Sequence, residues 1–154
     1  MSESISNKQQ LHEQCLTIAL EQVSNLNAIM AELKDALGSE SKSTAGDKHE
    51  TGRAMIQLEQ ERAGHQLRQA EELLLSLQAI NTLLLPAETI QLGSLAITDK
   101  GSFYISVGLG KITLDSKLYY AVSPTAPIAV ALLGKRVGDI VPFNAQELIV
   151  QAIQ

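Results

Sequence analysis

Tryptophan is absent from this chain of 154 residues, cysteine occurs once, and the five aromatics (Phe103, Tyr104, Tyr119, Tyr120, Phe143) all lie beyond residue 100. Each shortage excludes something. With Cys15 alone no internal disulfide can form, which suits a reducing compartment. Residues 1–85 hold no aromatic, so that half offers no platform on which bases could stack. Basic residues are scarce as well: 12 Lys and Arg against 17 Asp and Glu leave a net charge of −5. A grip on duplex phosphates needs clustered Lys and Arg. No autonomous nucleic-acid binding is expected.

Long apolar runs are missing too. The most apolar stretch, 73–85, is interrupted by Ser76, Gln78 and Asn81 and is far shorter than the ~20 residues a membrane span needs. The polar start, MSESISNKQQ, lacks the basic-then-apolar order of a signal peptide. The expectation is a cytoplasmic protein with no membrane partner. Catalytic signatures are lacking: there is no Ser/His/Asp set, no paired cysteines, no P-loop and no dinucleotide-binding glycine pattern. Gly108-Leu109-Gly110 lacks a third glycine and a following helix. His12 and His65 fall on helical stretches without a ligand partner at i+4. An enzyme in its own right is not expected.

What is present is periodicity. Leu16, Ala19, Val23, Leu26, Met30, Leu33 and Leu37 are spaced alternately by three and four, the seam of a coiled coil sustained for about three heptads. Gly38 and a run of small polar residues follow, with no period, and read as a loop. A second seam runs through Ile56, Ala63, Leu67, Ala70, Leu74, Leu77 and Leu84, with Gln60 and Asn81 at two of its core positions. Pro86 is expected to stop it. Two helices of similar length joined by a short loop run antiparallel, giving an arm of roughly 40 Å. Both stripes are narrow, as in a two-stranded coil projecting into solvent. The boundaries are 1–85 for the coiled-coil arm, with a tip loop at 38–47, and 86–154 for a second domain.

That second domain reads as strands. Residues 94–98 and 102–107 alternate around the turn Asp99-Lys100-Gly101, and 111–114 and 117–122 flank Asp115-Ser116. Pro127 opens a short helix that Gly134 closes, the usual asymmetry of helix ends. Gly138-Asp139 makes a further turn, and 140–143 and 147–153 close the sheet. One short helix on an antiparallel sheet makes an α+β domain.

At the arm's tip, Asp47 and Glu50 stand three apart at the start of the second helix and so share a face. Two uses fit that spacing. Asp with a Glu three residues on is a capping box-like arrangement, and acidic side chains suit the positive end of the helix dipole. Two carboxylates on one exposed face can also serve a hard cation such as Mg²⁺, provided a second macromolecule supplies the remaining ligands. His49 between them reads as a solvated residue.

These residues also carry a resemblance. Pro127-Ile-Ala-Val-Ala-Leu-Leu-Gly-Lys-Arg-Val-Gly-Asp139 is similar to the SPxxxALxGKxxGD segment of the bacterial Gre (GreA/GreB) transcript-cleavage and elongation factors. Gly93-Ser94-Leu95 resembles that family's GS turn into its first strand, and Gly46-Asp47-Lys48-His49-Glu50 its GDxxEN tip. The resemblance implies an FKBP-like C-terminal domain that docks on RNA polymerase through Ala131, Leu132, Leu133, Gly134 and Lys135, and an arm that enters the secondary channel. It implies that Asp47 and Glu50 share a Mg²⁺ with the polymerase active site and promote cleavage of backtracked RNA, touching the RNA 3′ end only indirectly. No metal is expected on the chain alone.

Two departures from the family stand out. The tip continues Thr51-Gly52-Arg53-Ala54 where the family has Asn-Ala-Glu-Tyr, and Ala126 replaces the Ser before the helix-opening proline. A Gre-like regulator or inhibitor that binds polymerase without stimulating cleavage is therefore an open alternative. A prolyl isomerase, which the implied fold also serves, is disfavoured by the few aromatics, since fold alone does not give function.

Overall fold

The structure, a computed structural model, describes residues 2–41, 46–82 and 87–154, with side chains over 7–39, 51–82 and 87–154. The elements in order are α1 (Ser2–Ser41), α2 (Gly46–Gln78), β1 (Leu95–Thr98), β2 (Gly101–Ile105), β3 (Gly110–Leu114), β4 (Lys117–Val122), α3 (Pro127–Leu132), β5 (Ile140–Phe143) and β6 (Gln146–Ile153). This is an α+β protein. It packs as two compact units, one of residues 17–74 and one of residues 1–16 with 75–154.

The helical unit is built on the seams. Between residues 20 and 35 only Val23, Leu26, Met30 and Leu33 are shielded from water. Between residues 53 and 69 the shielded positions are Ile56, Gln60, Ala63, Gly64 and Leu67. Gly64 lies against Met30, and residues 22–29 share a groove with residues 66–73. Early residues of α1 thus meet late residues of α2, the antiparallel register. Ala63 and Ala70 are buried while most of the larger seam residues stay partly exposed. A two-helix coil has no third element to cover its flanks, so only the smallest seam residues vanish from the surface.

Both helix ends differ from the spacing-based expectation. α1 continues past Gly38 to Ser41. α2 stops at Gln78 rather than at Pro86. Its last turn tightens, with Ala79 N–H on Leu75 O (3.1 Å) and Ile80 N–H on Leu77 O (3.1 Å). Ile80, Asn81 and Thr82 are weak helix formers in succession. Asn81 is exposed and so is no core residue of the coil. Leu84 and Pro86 lie outside the described residues.

In the other unit the sheet is six-stranded, in the order β3-β4-β2-β1-β6-β5. Four of its pairings are antiparallel, but β2 and β4 run parallel, with Tyr104 opposite Ala121. The chain leaves β2, crosses to the edge as β3 and returns through Asp115-Ser116 as β4, which slots in beside β2. Turn residues identify the hairpins, whereas this crossover carries no turn signature. Asp115 and Ser116 both have positive φ (50° and 66°), as a two-residue hairpin turn requires. Asn144 and Ala145 do the same between β5 and β6 (49° and 62°).

The sheet buries both faces. On one, Ala96, Ile105, Leu148 and Val150 join Ala129 and Leu132 of α3, with Ile90 and Val141. Phe103 stacks on Tyr120 at 5.5 Å on that same side. On the other, Leu95, Tyr104 and Ala121 are fully buried or nearly so. There the first turns of α1 pack down: Leu11 and Cys15 are fully buried, as is Leu77 of α2. Fully burying a Leu side chain is worth about 1.5–3 kcal/mol, so the helix roots are part of this unit's core.

Candidate functional site

The tip begins at Gly46, the first residue of α2, so Asp47 and Glu50 belong to its opening turn and share a face by their spacing. Their side chains, with those of Lys48 and His49, lie outside the described residues. Among the described residues no three His, Cys, Asp or Glu side chains come close enough to hold a metal. No described helix is long and apolar enough to cross a membrane.

The segment Pro127–Asp139 is described throughout, and each of its marked residues has a local task. Pro127 sits at the start of α3, where its missing N–H costs nothing. The N-cap is Ala126, in extended conformation (φ −65°, ψ 145°), and it supplies no side-chain oxygen. The cap that a serine would give is missing. Gly134 adopts φ +83°, a left-handed conformation that ends the helix. It donates to Ile90 O (2.8 Å), and Lys135 O accepts from Ile90 N–H (2.8 Å). This backbone clamp fixes the chain where it enters the sheet.

The following turn is equally determined. Gly138, at φ +94°, donates to Val150 O (2.7 Å), and Asp139 O accepts from Val150 N–H (3.0 Å). Asp139 Oδ2 accepts from Arg136 N–H at 2.8 Å and closes the loop. Gly93-Ser94 forms the corresponding turn before β1. Gly93 has φ +89° and donates to Ile105 O (2.7 Å). Ser94 Oγ accepts from Gln91 N–H (3.0 Å).

The residues expected to meet a partner are thus mixed in kind. Leu132 has no accessible surface and serves the core. Ala131, Leu133 and Lys135 are half-buried, and Gly134 is exposed. The surface of α3 is led by Val130, which is 61% exposed and which sequence reasoning passed over.

A buried polar cluster was missed as well. His12 Nδ1 lies 2.7 Å from the Tyr104 hydroxyl, with the rings edge to face at 6.0 Å. His12 is 7% exposed and Tyr104 fully buried. Burial lowers the His12 pKa, helped by Lys8 and opposed by Glu13. Burial, with Cys15 nearby, raises that of the Tyr104 phenol. Burial pushes the Cys15 thiol up to about 11. This is an inert joint rather than a reactive centre. A signal for it existed: His12 stands four residues before Leu16, a seam position one step beyond the seam's first apolar residue.

A cavity of about 440 Å³ opens on the α3 side of the sheet, lined by Phe103, Tyr120, Ile128, Phe143 and Leu148 among others. Its wall is mainly apolar, with Lys100, Asn144 and Gln146 at its polar side.

Fold and site together define a class, a helical hairpin set before a small six-stranded α+β domain. No protein-family model matches the chain, and no curated protein does. A solved structure, "Crystal structure of GreA factor homolog 1 (Gfh1) protein of Thermus thermophilus", aligns over 90% of this chain and 94% of that chain at 22% identity. Its TM-score is 0.38. The two superpose too loosely for the likeness to bear on the reading below.

Proposed function

We propose that this protein is a Gre-like factor that binds RNA polymerase and promotes cleavage of backtracked RNA. The observation that carries the reading is the segment Pro127–Asp139. It resembles the family's most specific stretch, and its glycines and aspartate each meet a backbone requirement that ordinary residues would not. The order of helical hairpin, acidic tip and small β-rich domain supports the same reading.

In this reading the C-terminal domain docks on the polymerase and the hairpin enters the secondary channel. The chain is not the catalyst. Asp47 and Glu50 offer carboxylates toward a Mg²⁺ whose other ligands the polymerase supplies. A second metal of this kind stabilises the attacking and leaving oxygens of an in-line displacement. Two carboxylates on one turn are too few to hold Mg²⁺ alone, which prefers six oxygens. Hence no metal is expected on the free protein.

One observation favours a second reading. After Glu50 the tip offers Thr51-Gly52-Arg53-Ala54, without the family's further acid and aromatic. A factor with that tip could occupy the channel and restrain the polymerase without stimulating cleavage.

Binding is tested with the whole chain against purified bacterial RNA polymerase. The unmodified protein is expected to co-elute. Val130→Glu combined with Lys135→Glu is expected to weaken the complex about tenfold or more while the circular dichroism is unchanged. Unchanged affinity in the folded variant would move the docking face elsewhere. No complex with the unmodified chain would end the reading.

A further inference from the structure

The first turns of α1 and the chain that follows α2 border a second cavity, of about 230 Å³, lined by Lys8, Ile80, Gln91, Leu92, Gly93 and Ser94 among others. It lies within one compact unit. Both cavities have a lysine in their walls, but Lys100 beside α3 is paired with Asp99 (3.1 Å), whereas Lys8 lines this one together with the Ser94 turn.

Lys8 is half-buried, and burial lowers its pKa. Among the described residues the ion pairs are Arg62–Glu59, Lys100–Asp99 and Arg136–Glu88, and no carboxylate or carbonyl accepts from Lys8. A half-buried lysine packs its stem and keeps its ammonium donors free for a ligand. On the opposite wall Ser94 is 3% exposed. Its Oγ accepts from Gln91 N–H at 3.0 Å, which leaves the hydroxyl proton to donate.

That wall is rigid. Gly93 N–H is held by Ile105 O (2.7 Å) and Ser94 N–H by Gln91 O (2.9 Å). Gly93, at φ +89°, has Ile80 so close that an added Cβ would meet it at 3.2 Å. The Ser94 hydroxyl is therefore placed before any ligand arrives, and that preorganisation lowers the cost of binding. The volume is several times the ~30 Å³ share of one water and below the ~300 Å³ at which drug-sized pockets begin. It has room for a compact anion.

We infer that this cavity binds a small tetrahedral oxyanion of the phosphate type, with the Lys8 ammonium as its charge partner and the Ser94 hydroxyl as a second donor. The ligand bridges the root of α1 and the turn into β1, so its binding stabilises that junction. The inference does not depend on the polymerase reading, because neither the tip nor α3 takes part.

The test is a titration of the full chain with inorganic phosphate, read by amide NMR at Gln91–Ser94 and by thermal melting, with chloride at matched ionic strength as control. Glycerol phosphate run beside it separates a free ion from an ester, and binding of either supports the site. Saturable shifts confined to this turn, with a phosphate-dependent rise in Tm, are expected. Lys8→Met keeps the apolar stem and should lose about tenfold or more in affinity, the worth of one charge-assisted hydrogen bond. Lys8→Arg should retain binding. Should Lys8→Met fold poorly, Ser94→Ala serves in its place, with a smaller loss expected. Non-saturating shifts, equal effects of chloride, or equal affinity in Lys8→Met would overturn the assignment.

Discussion

His12, Cys15 and Tyr104 show how three side chains set the behaviour of a junction. Burial holds His12 below its ordinary pKa of 6.5, so the unfolded chain takes up its proton first as pH falls. The stability that the neutral imidazole contributes is therefore complete above about pH 6.5 and is lost as pH drops through that value toward the lower folded pKa. Groups around the ring act in both directions: Lys8 opposes the charged form and Glu13 favours it. Denaturant melts from about pH 8 to about pH 5 should show this loss. His12→Gln should flatten it, and an equal slope in the variant would contradict the account.

Cys15 reports on the same joint. Fully buried, with its thiol pushed up to about 11, it is almost wholly protonated near neutrality, and the thiolate is the reactive form. Maleimide labelling of the native protein should be slow and limited by opening of the joint. Labelling in denaturant should be immediate. Rapid labelling of the folded chain would mean that the root of α1 is not seated against the sheet.

Among the elements, α3 lacks a cap that its neighbours could use. Ala126 has the extended backbone of an N-cap, and the N–H of Ala129 stands at the third helical position. Ala126→Ser should stabilise the protein by about 0.5–2 kcal/mol. A neutral or lower Tm would mean that the side chain, which packs partly against the core, has no room to turn. The seams differ along their length. Leu77 is fully buried, so Leu77→Ala should cost ~2–5 kcal/mol. Leu26 is only half-buried and Leu26→Ala should cost clearly less. Equal costs would show that the coil's middle is packed as tightly as its root.

The elements also show what a sequence can tell. The seams were legible because a 3-4 spacing admits one structure, and burial between residues 20 and 35 follows it residue by residue. Hairpin turns at Asp99-Lys100-Gly101 and Asp115-Ser116 were legible from residue type. The end of α2 was not, because apolar residues continue past Gln78 although the helix does not. The turn at Asn144-Ala145 escaped notice because alanine seldom adopts positive φ. The parallel β2–β4 pair follows from the path of the chain in space, which local patterns do not encode. At the candidate site, the glycines of the segment Pro127–Asp139 were visible as a motif. Their tasks, clamping Ile90 and pairing with Val150, became apparent only in the fold.

For the whole molecule the proposal is that a hairpin with an acidic tip acts inside another machine's active site. Most of the specific resemblance lies in a segment whose residues shape backbone turns, so it speaks for fold and docking more than for chemistry. The chemistry rests on Asp47 and Glu50. The most direct test measures RNA cleavage and RNA extension side by side on a stalled, backtracked elongation complex across a Mg²⁺ titration. It compares the unmodified chain, Asp47→Asn and Glu50→Gln. Asn caps a helix as well as Asp, so Asp47→Asn should cost little stability, while loss of the charge weakens a hard-cation ligand sharply. The account predicts that the unmodified protein accelerates cleavage and that both variants bind polymerase but lose the acceleration. Full activity in both variants would reduce the tip carboxylates to helix caps. Slowed extension with no cleavage by the unmodified protein would contradict the cleavage role and favour the inhibitory one.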